Sequence, residues 1–155
     1  LDRRVERELI PMARTYGIAL IPWSPLAGGF LPGKYQRNEQ PPENARFGPE
    51  KHFRSHAMLG QDKTFDILEG MQAIAGELNC TVSQLALAWN FSQPGVTSPI
   101  IGPRTMEQLE DNLGAIDVQL ADDHRKRIDE LAPPGSVTVP FYQANWGPHD
   151  SRLIT

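Results

Sequence analysis

Apolar residues recur at helical spacing in five stretches of the chain, and helix-starting and helix-stopping residues lie at the ends of these stretches. In the most regular one, residues 62–79, Ile67, Met71 and Ile74 lie on a single apolar stripe. The pattern predicts helices over residues 2–16, 62–79, 81–91, 106–115 and 122–131. Pro11 predicts a kink or a restart inside the first of these helices.

Two short apolar runs have the character of buried strands. Residues 17–22 and 97–101 are mostly apolar, which is typical of strands covered on both faces in a parallel sheet. The right-handed crossover rule then predicts that the two strands are adjacent and parallel, with helices between them. Two such strands do not make a sheet that stands alone, so the α/β order is that of the closing quarter to third of a (β/α)₈ barrel.

The remaining segments lack a regular pattern. Residues 36–60 are polar and rich in proline, and they are too long for an ordinary connection, so we expect a functional or a disordered loop. Pro133, Pro134 and Gly135 stop the last helix. We therefore divide the chain into a barrel part over residues 1–132 and an extended tail over residues 133–155. Because the chain begins with Leu1, we expect a piece of something longer, or a processed product.

Composition narrows the classes of partner. A formal net charge of −4 with scattered basic residues argues against nucleic acid and against an anionic membrane surface. The single cysteine, Cys80, excludes an internal disulfide framework and fits a reducing compartment, so we expect a cytoplasmic protein. It precedes a helix cap and is interpreted as a small buried apolar residue rather than a nucleophile. The four histidines show no metal-ligand spacing, and no metal site is predicted.

Residues 20–35, LIPWSPLAGGFLPGKY, combine features that suit contact with an anion or a flat ring. The predicted strand is followed by Trp23, Ser24 and the glycine pair at 28–29, and glycines let backbone N–H groups approach a ligand closely. Lys34 adds a cation where the glycines leave room. A surface turn before a loop is the alternative interpretation, because a strand followed by two glycines is common at turns.

A second candidate stretch begins after residues 97–101. Arg104 lies at the start of a predicted helix that follows a predicted parallel strand, and it offers a planar fork for phosphate. Gln108, Asp111 and Asn112 share a helix face with Thr105, and that face can contact the polar edge of an adenine. The alternative is a solvated polar helix in which Thr105 and Gln108 form a capping box.

Both stretches resemble segments of aldo-keto reductases. The string WSPLAGGFLPGKY looks like the loop after the seventh barrel strand, which lies along the diphosphate and nicotinamide of NADP. The string IIGPRTMEQLEDNLGAIDVQL is similar to the segment after the eighth strand, which holds the 2′-phosphate and adenine. The resemblance extends from about residue 1 to residue 134. It implies the C-terminal portion of a (β/α)₈ TIM barrel, with NADP(H) as cofactor.

The resemblance also implies a role for each matching position. Trp23 matches the aromatic that stacks on the nicotinamide, and Lys34 matches a lysine that contacts phosphate. Arg46 matches an arginine that folds over the cofactor. The other matching positions line the diphosphate (Ser24, Pro25, Leu26, Ala27 and Gly28) or the adenosine pocket (Gly102, Arg104, Gln108, Asp111 and Asn112). At position 111 the family more often has glutamate, a longer acceptor of the same kind.

The function implied by the resemblance is an NADP(H)-dependent oxidoreductase that reduces an aldehyde or ketone to an alcohol. The family's catalytic tyrosine, lysine, aspartate and histidine belong to the first half of the barrel. None of their motifs is in this sequence, so no catalytic residue is predicted. Expected partners are a small carbonyl substrate and either the missing N-terminal part of the barrel or a homo-oligomer. The alternatives are a non-catalytic NADP-binding subunit or sensor, like potassium-channel β-subunits, and an inactive truncated fragment.

Overall fold

A computed structural model describes residues 1–43, 45–47 and 61–138. Within these ranges the chain forms five α-helices, which are α1 (Leu9–Tyr16), α2 (Asp62–Glu77), α3 (Val82–Phe91), α4 (Met106–Leu113) and α5 (Asp122–Leu131). Short 3₁₀ turns cover Arg4–Glu6, Ala27–Gly29 and Gly114–Asp117. Helix α2 packs against α3 and α5, and α3 packs against α4.

All five predicted helices are confirmed, with changes at their ends. The first begins at Leu9 and not at residue 2, because Arg4–Glu6 forms a separate 3₁₀ turn. Pro11 therefore lies in the first turn of α1, where a helical N–H has no intrahelical partner, and the predicted restart is confirmed. Helix α4 ends at Leu113 and tightens into a 3₁₀ turn, two residues earlier than predicted.

The N-terminus of α3 is held by the predicted capping box. The Thr81 hydroxyl accepts the Gln84 amide at 3.1 Å, and the Gln84 side-chain oxygen accepts the Thr81 amide at 3.1 Å. The same hydroxyl donates to the Asp111 carboxylate at 2.9 Å. Thr81 thus caps α3 and joins it to α4.

Replacing Thr81 by valine is expected to lower the free energy of unfolding by about 1 kcal/mol, because the cap and the link to α4 are lost together. Urea denaturation of the intact protein measures this change. Thr15→Val is the matched control, since the Thr15 hydroxyl only donates back to the Pro11 carbonyl in its own exposed turn. Equal losses for the two variants would contradict the role of the cap.

The two predicted strands lie side by side and parallel, as expected, but they form no sheet among the described residues. Isolated parallel bridges join Leu20 to Val96 and Trp23 to Ile100. The Ile100 amide donates to the Pro22 carbonyl at 2.8 Å. Prolines at positions 22 and 99 supply no N–H, and two segments without further neighbours make a weak ladder. The predicted continuous strands over residues 17–22 and 97–101 are therefore wrong.

Apolar side chains on these segments are not covered on both faces. Ile21 is 58% exposed, and Ile18 and Ile100 are also half exposed. Helix α1 has further exposed apolar residues, which are Leu9, Met12 and Tyr16. The expectation of strands buried on both faces is wrong for the described residues, because these side chains are covered only in part. This surface is as rich in apolar side chains as a protein interior, and apolar surface of this kind is typical of a contact with another part of a protein.

The core lies on the other side, between the helices and the loop after Trp23. Phe30, Ile74 and Leu85 are fully buried there. The Phe30 ring meets Phe65 of α2 edge-on, with ring centroids 5.2 Å apart. The loop that carries the first candidate stretch is therefore anchored in the helical core.

The first residues of the chain pair with those that follow α5. Asp2 and Val137 form an antiparallel bridge, and the Arg3 amide donates to the Ser136 carbonyl at 2.8 Å. The buried Arg3 guanidinium donates to Asp129 and lies 4.8 Å from the centroid of the Trp89 ring. Residues 133–136 form a turn, in which the Ser136 amide donates to the Pro133 carbonyl at 3.0 Å, and residues 139–155 of the predicted tail lie outside the described residues.

Candidate functional site

The loop that follows Trp23 has an unusual backbone. Ser24 and Ala27 have φ values of 56° and 50°, and Gly28 and Gly29 have φ values of 67° and 94°. Left-handed φ at a residue other than glycine costs about 1–3 kcal/mol and is concentrated at ligand-binding sites. Alternation of right- and left-handed residues can form a concave backbone turn that suits an anion. Two amides of this turn are already used within it, because Ala27 donates to the Ser24 carbonyl at 2.9 Å and Gly29 to the Leu26 carbonyl at 3.0 Å. We refer to residues 24–29 as the anion loop.

Trp23 stands where the two parallel segments meet. Its backbone bridges Ile100, and its side chain is 43% exposed. Parallel segments leave a pairing from the same end, so the anion loop and the segment that contains Gly102 and Arg104 start next to each other. A partly exposed indole thus stands at the point where the two segments diverge, and indole faces are suited to stacking on flat rings.

Lys34 lies against the glycine pair. A Cβ atom at position 29 would be 3.1 Å from Cδ of Lys34, so the absence of a side chain at Gly29 makes room for the lysine stem. The Lys34 amide also donates to the Gly29 carbonyl at 3.4 Å. Lys34 is exposed while Tyr35 is buried, so the two neighbours point in opposite directions.

Tyr35 connects the anion loop to the segment that contains Arg46. Its hydroxyl accepts the Phe47 amide at 3.2 Å and donates to the Gly28 carbonyl at 3.4 Å. Burial raises the pKa of Tyr35, and the Phe47 amide and the charges of Arg46 and Arg104 act in the opposite direction. The charges of both arginines thus act on this phenol, whose hydrogen bonds join the anion loop to the segment that contains Arg46.

The start of α4 is capped by its own side chains. The Thr105 hydroxyl accepts the Gln108 amide at 3.2 Å, and the Arg104 amide donates to the Gln108 side-chain oxygen at 2.9 Å. Thr105 therefore caps α4, but the capping box of the alternative interpretation is not formed, because the Gln108 side chain accepts the amide of Arg104 and not that of Thr105. The Arg104 side chain is exposed, and Gly102 beside it has open space where a Cβ would stand.

Asp111 and Asn112 are directed toward the packing of α4 on its neighbours. One Asp111 carboxylate oxygen accepts from Thr81, and the Asp111 carbonyl accepts the Gln84 side-chain amide at 3.0 Å. Asn112 is buried. Arg104 and Gln108 are thus together at the mouth of α4, while Asp111 and Asn112 lie farther along the helix and have structural surroundings.

Three cations at this site have no carboxylate partner among the described residues, a property that Arg7 and Arg125 share, since Arg7 donates to the Gly135 carbonyl and Arg125 to the Ser92 hydroxyl. Arg3, Arg37 and Arg127 are each paired with carboxylates. Lys34, Arg46 and Arg104 make no ion pair with any described carboxylate. Cations that lack a carboxylate partner beside a concave backbone favour an anionic ligand.

The family model for the aldo/keto reductase family matches residues 1–133. The chain belongs to the aldo/keto reductase family. Members of this family fold as (β/α)₈ barrels, so the parallel pairing of residues 20–23 with 96–100 fits two neighbouring barrel strands.

Relatives within the aldo/keto reductase family include enzymes and channel subunits. The chain is 35% identical to an uncharacterized oxidoreductase of Bacillus subtilis, over 92% of this chain and 41% of the relative. It is 39% identical to a probable voltage-gated potassium channel subunit beta of rice, over 74% of this chain and 35% of the relative. It is 35% identical to the NADH-specific methylglyoxal reductase of Escherichia coli, over 85% of this chain and 39% of the relative. The chain spans less than half the length of these relatives.

Within the ranges 1–43, 45–47 and 61–138, no three His, Cys, Asp or Glu side chains gather as metal ligands would. None of the helices described above has the length and apolar character needed to cross a bilayer.

Proposed function

We propose that the intact protein is an NADP(H)-dependent oxidoreductase that reduces an aldehyde or ketone to an alcohol, and that this chain binds and orients the cofactor. The bound nicotinamide would supply the hydride, while the protein supplies binding, orientation and electrostatics. The proposal extends the family assignment to a specific cofactor and substrate class. It leaves the proton-donating group to the part of the protein outside this chain.

The observation that carries the proposal is the convergence at the anion loop. Lys34 lies on Gly29. Burial raises the pKa of Tyr35, whose hydroxyl is hydrogen-bonded to Gly28 of the loop, while the charges of Arg46 and Arg104 act in the opposite direction. Three positive groups are therefore in the neighbourhood of a left-handed backbone turn. NADP has a diphosphate and a 2′-phosphate, which together call for several positive contacts. Trp23 is 43% exposed at the end of the same pairing, and an indole face is suited to stacking on a nicotinamide ring.

Fluorescence titration of the intact protein with NADPH and with NADH tests this proposal. We expect saturable quenching by NADPH at micromolar concentrations and weaker binding of NADH. Because one relative is an NADH-specific reductase, preferential binding of NADH would correct the cofactor and keep the enzyme class. The absence of binding by either dinucleotide would reject the proposal.

We also propose that the chain is the C-terminal portion of the barrel and that the exposed apolar surface packs on the rest of it. Support comes from the order of the elements, from the half-exposed Ile18, Ile21 and Ile100, and from the share of the relatives that the chain covers. The missing strands would continue the parallel pairing on both sides of residues 17–23 and 96–101.

A polypeptide of these 155 residues on its own is expected to self-associate, because its apolar surface and unpaired backbone edges remain uncovered. Sedimentation velocity and scanning calorimetry measure this. Oligomers or aggregates with a broad transition are the expected outcome. A monomer with a sharp cooperative melt would show that the described residues need no covering part.

A non-catalytic NADP-binding subunit is the second candidate function. The rice potassium channel subunit beta, 39% identical over 74% of this chain, is the observation that favours it. Both candidates predict binding of the dinucleotide. Oxidation of NADPH by the intact protein in the presence of a panel of aldehydes and ketones separates them.

A further inference from the structure

The Tyr35 hydroxyl joins two segments that approach the anion loop from different directions. It donates to the Gly28 carbonyl, inside the loop, and accepts the Phe47 amide, one residue after Arg46. Both hydrogen bonds require a neutral phenol, since only the neutral group both donates and accepts. A phenol of ordinary pKa, 10.0, is already neutral near pH 7, and burial raises the pKa of Tyr35 further.

Packing fixes the position of this hydroxyl. The Tyr35 ring stacks on Phe30 with centroids 6.3 Å apart and an interplanar angle of 15°, and it contacts Phe47 with centroids 5.5 Å apart. Phe30 is fully buried and Tyr35 nearly so. The Tyr35 ring is thus packed in the core, and its hydroxyl oxygen contacts the anion loop and the Phe47 amide.

Phe47 in turn is pressed onto the loop. A Cβ atom at position 28 would lie 2.5 Å from Cζ of Phe47, so the ring occupies the space that a side chain at Gly28 would fill. Phe47 is buried and its neighbour Arg46 is exposed. The buried ring therefore holds Arg46 close to the anion loop and leaves its guanidinium in solvent.

We propose that Tyr35 is a positioning residue for cofactor retention: its hydroxyl holds Phe47 on Gly28, and through Phe47 it keeps Arg46 beside the anion loop. This inference rests on the proposed function, because it concerns how long a phosphate-bearing dinucleotide stays bound there. Tyr35 itself contributes no charge and is not assigned a catalytic role. Its effect is exerted on the position of Arg46.

The test is Tyr35→Phe in the intact protein, with NADPH release followed by stopped-flow displacement. The substitution keeps the stacked ring and removes only the hydroxyl. Release is expected to become roughly tenfold faster, since two hydrogen bonds that hold the segment are lost. Tyr16→Phe is the matched control, because Tyr16 is 75% exposed at the end of α1, and its release rate should stay at the wild-type value.

A double-mutant cycle with Arg46→Met separates positioning from a general structural loss. If Tyr35 acts through Arg46, the Tyr35→Phe substitution should have little further effect in the Arg46→Met background. Equal effects in both backgrounds would overturn the inference. Phe47→Leu provides an independent variant, which retains the amide and loses the ring contact with Gly28, and it should also accelerate release.

The possible failures are distinguishable. If the wild-type protein binds no dinucleotide, the proposed function fails and this inference with it. If the wild type binds NADPH and Tyr35→Phe releases it at the wild-type rate, the inference alone is wrong. Thermal melting of each variant identifies a loss of folding. If Tyr35→Phe does not fold, the rate at which Phe47→Leu releases NADPH tests the inference instead, and release at the wild-type rate would overturn it.

Discussion

Replacing Arg104 by alanine in the intact protein is expected to weaken NADPH binding by about ten- to a hundredfold and to leave NADH binding nearly unchanged. A charge-assisted fork to a phosphate contributes roughly 1.5–3 kcal/mol, and about 1.4 kcal/mol corresponds to a factor of ten in affinity. Only NADP has the 2′-phosphate. The Arg104 side chain is exposed and has no described carboxylate partner, so it is available for that group.

Fluorescence-quenching titrations with both dinucleotides measure this effect. Lys126→Ala, which removes an exposed cation from α5, is the control and should bind both cofactors like the wild type. Equal losses for NADPH and NADH would mean that Arg104 does not recognise the 2′-phosphate. Unchanged NADPH affinity would leave Arg104 as a solvated residue before a capped helix.

Replacing Phe30 by alanine is expected to lower the free energy of unfolding by about 3–5 kcal/mol. The Phe30 ring has no exposed surface, and it contacts both Tyr35 and Phe65. Its removal leaves a cavity at the point where the anion loop is anchored to α2, and the surrounding aromatic rings can fill it only in part.

Urea denaturation of the intact protein measures the loss, with Phe91→Ala as the matched control. Phe91 ends α3 and is 37% exposed, so the same change of side chain should cost less than half as much there. Similar losses at the two positions would argue that Phe30 is not part of a close-packed core. Release of NADPH should also accelerate in Phe30→Ala, because Tyr35 loses its stacking partner.

The helices could be predicted from the sequence because their signals are local. The stripe through Ile67, Met71 and Ile74 and the box from Thr81 to Gln84 each act within one or two helical turns. The strands could not be delimited in the same way. A run such as residues 17–22 is apolar whether or not neighbouring strands cover it, and the number of hydrogen bonds it forms depends on those neighbours.

The residue types of the candidate site could be predicted from the sequence, but the hydrogen bonds and packing contacts between them could not. The glycine pair, Lys34 and Arg104 were identified from their spacing and from the family resemblance. The burial of Asn112 and the hydrogen bond from Thr81 to Asp111 depend on how α4 packs on α3, which helical spacing alone does not specify. The link from Phe47 through Tyr35 to Gly28 spans a proline-rich stretch without periodicity, so no sequence pattern indicated it.

Ala27 has a consequence for the energetics of any ligand that binds at the anion loop. Its methyl group is buried in the core while its backbone is left-handed, so packing holds the strained turn in place without help from a ligand. A preorganised turn of this kind loses little conformational entropy on association. Calorimetry of dinucleotide binding is therefore expected to show no large entropic cost from ordering of this loop.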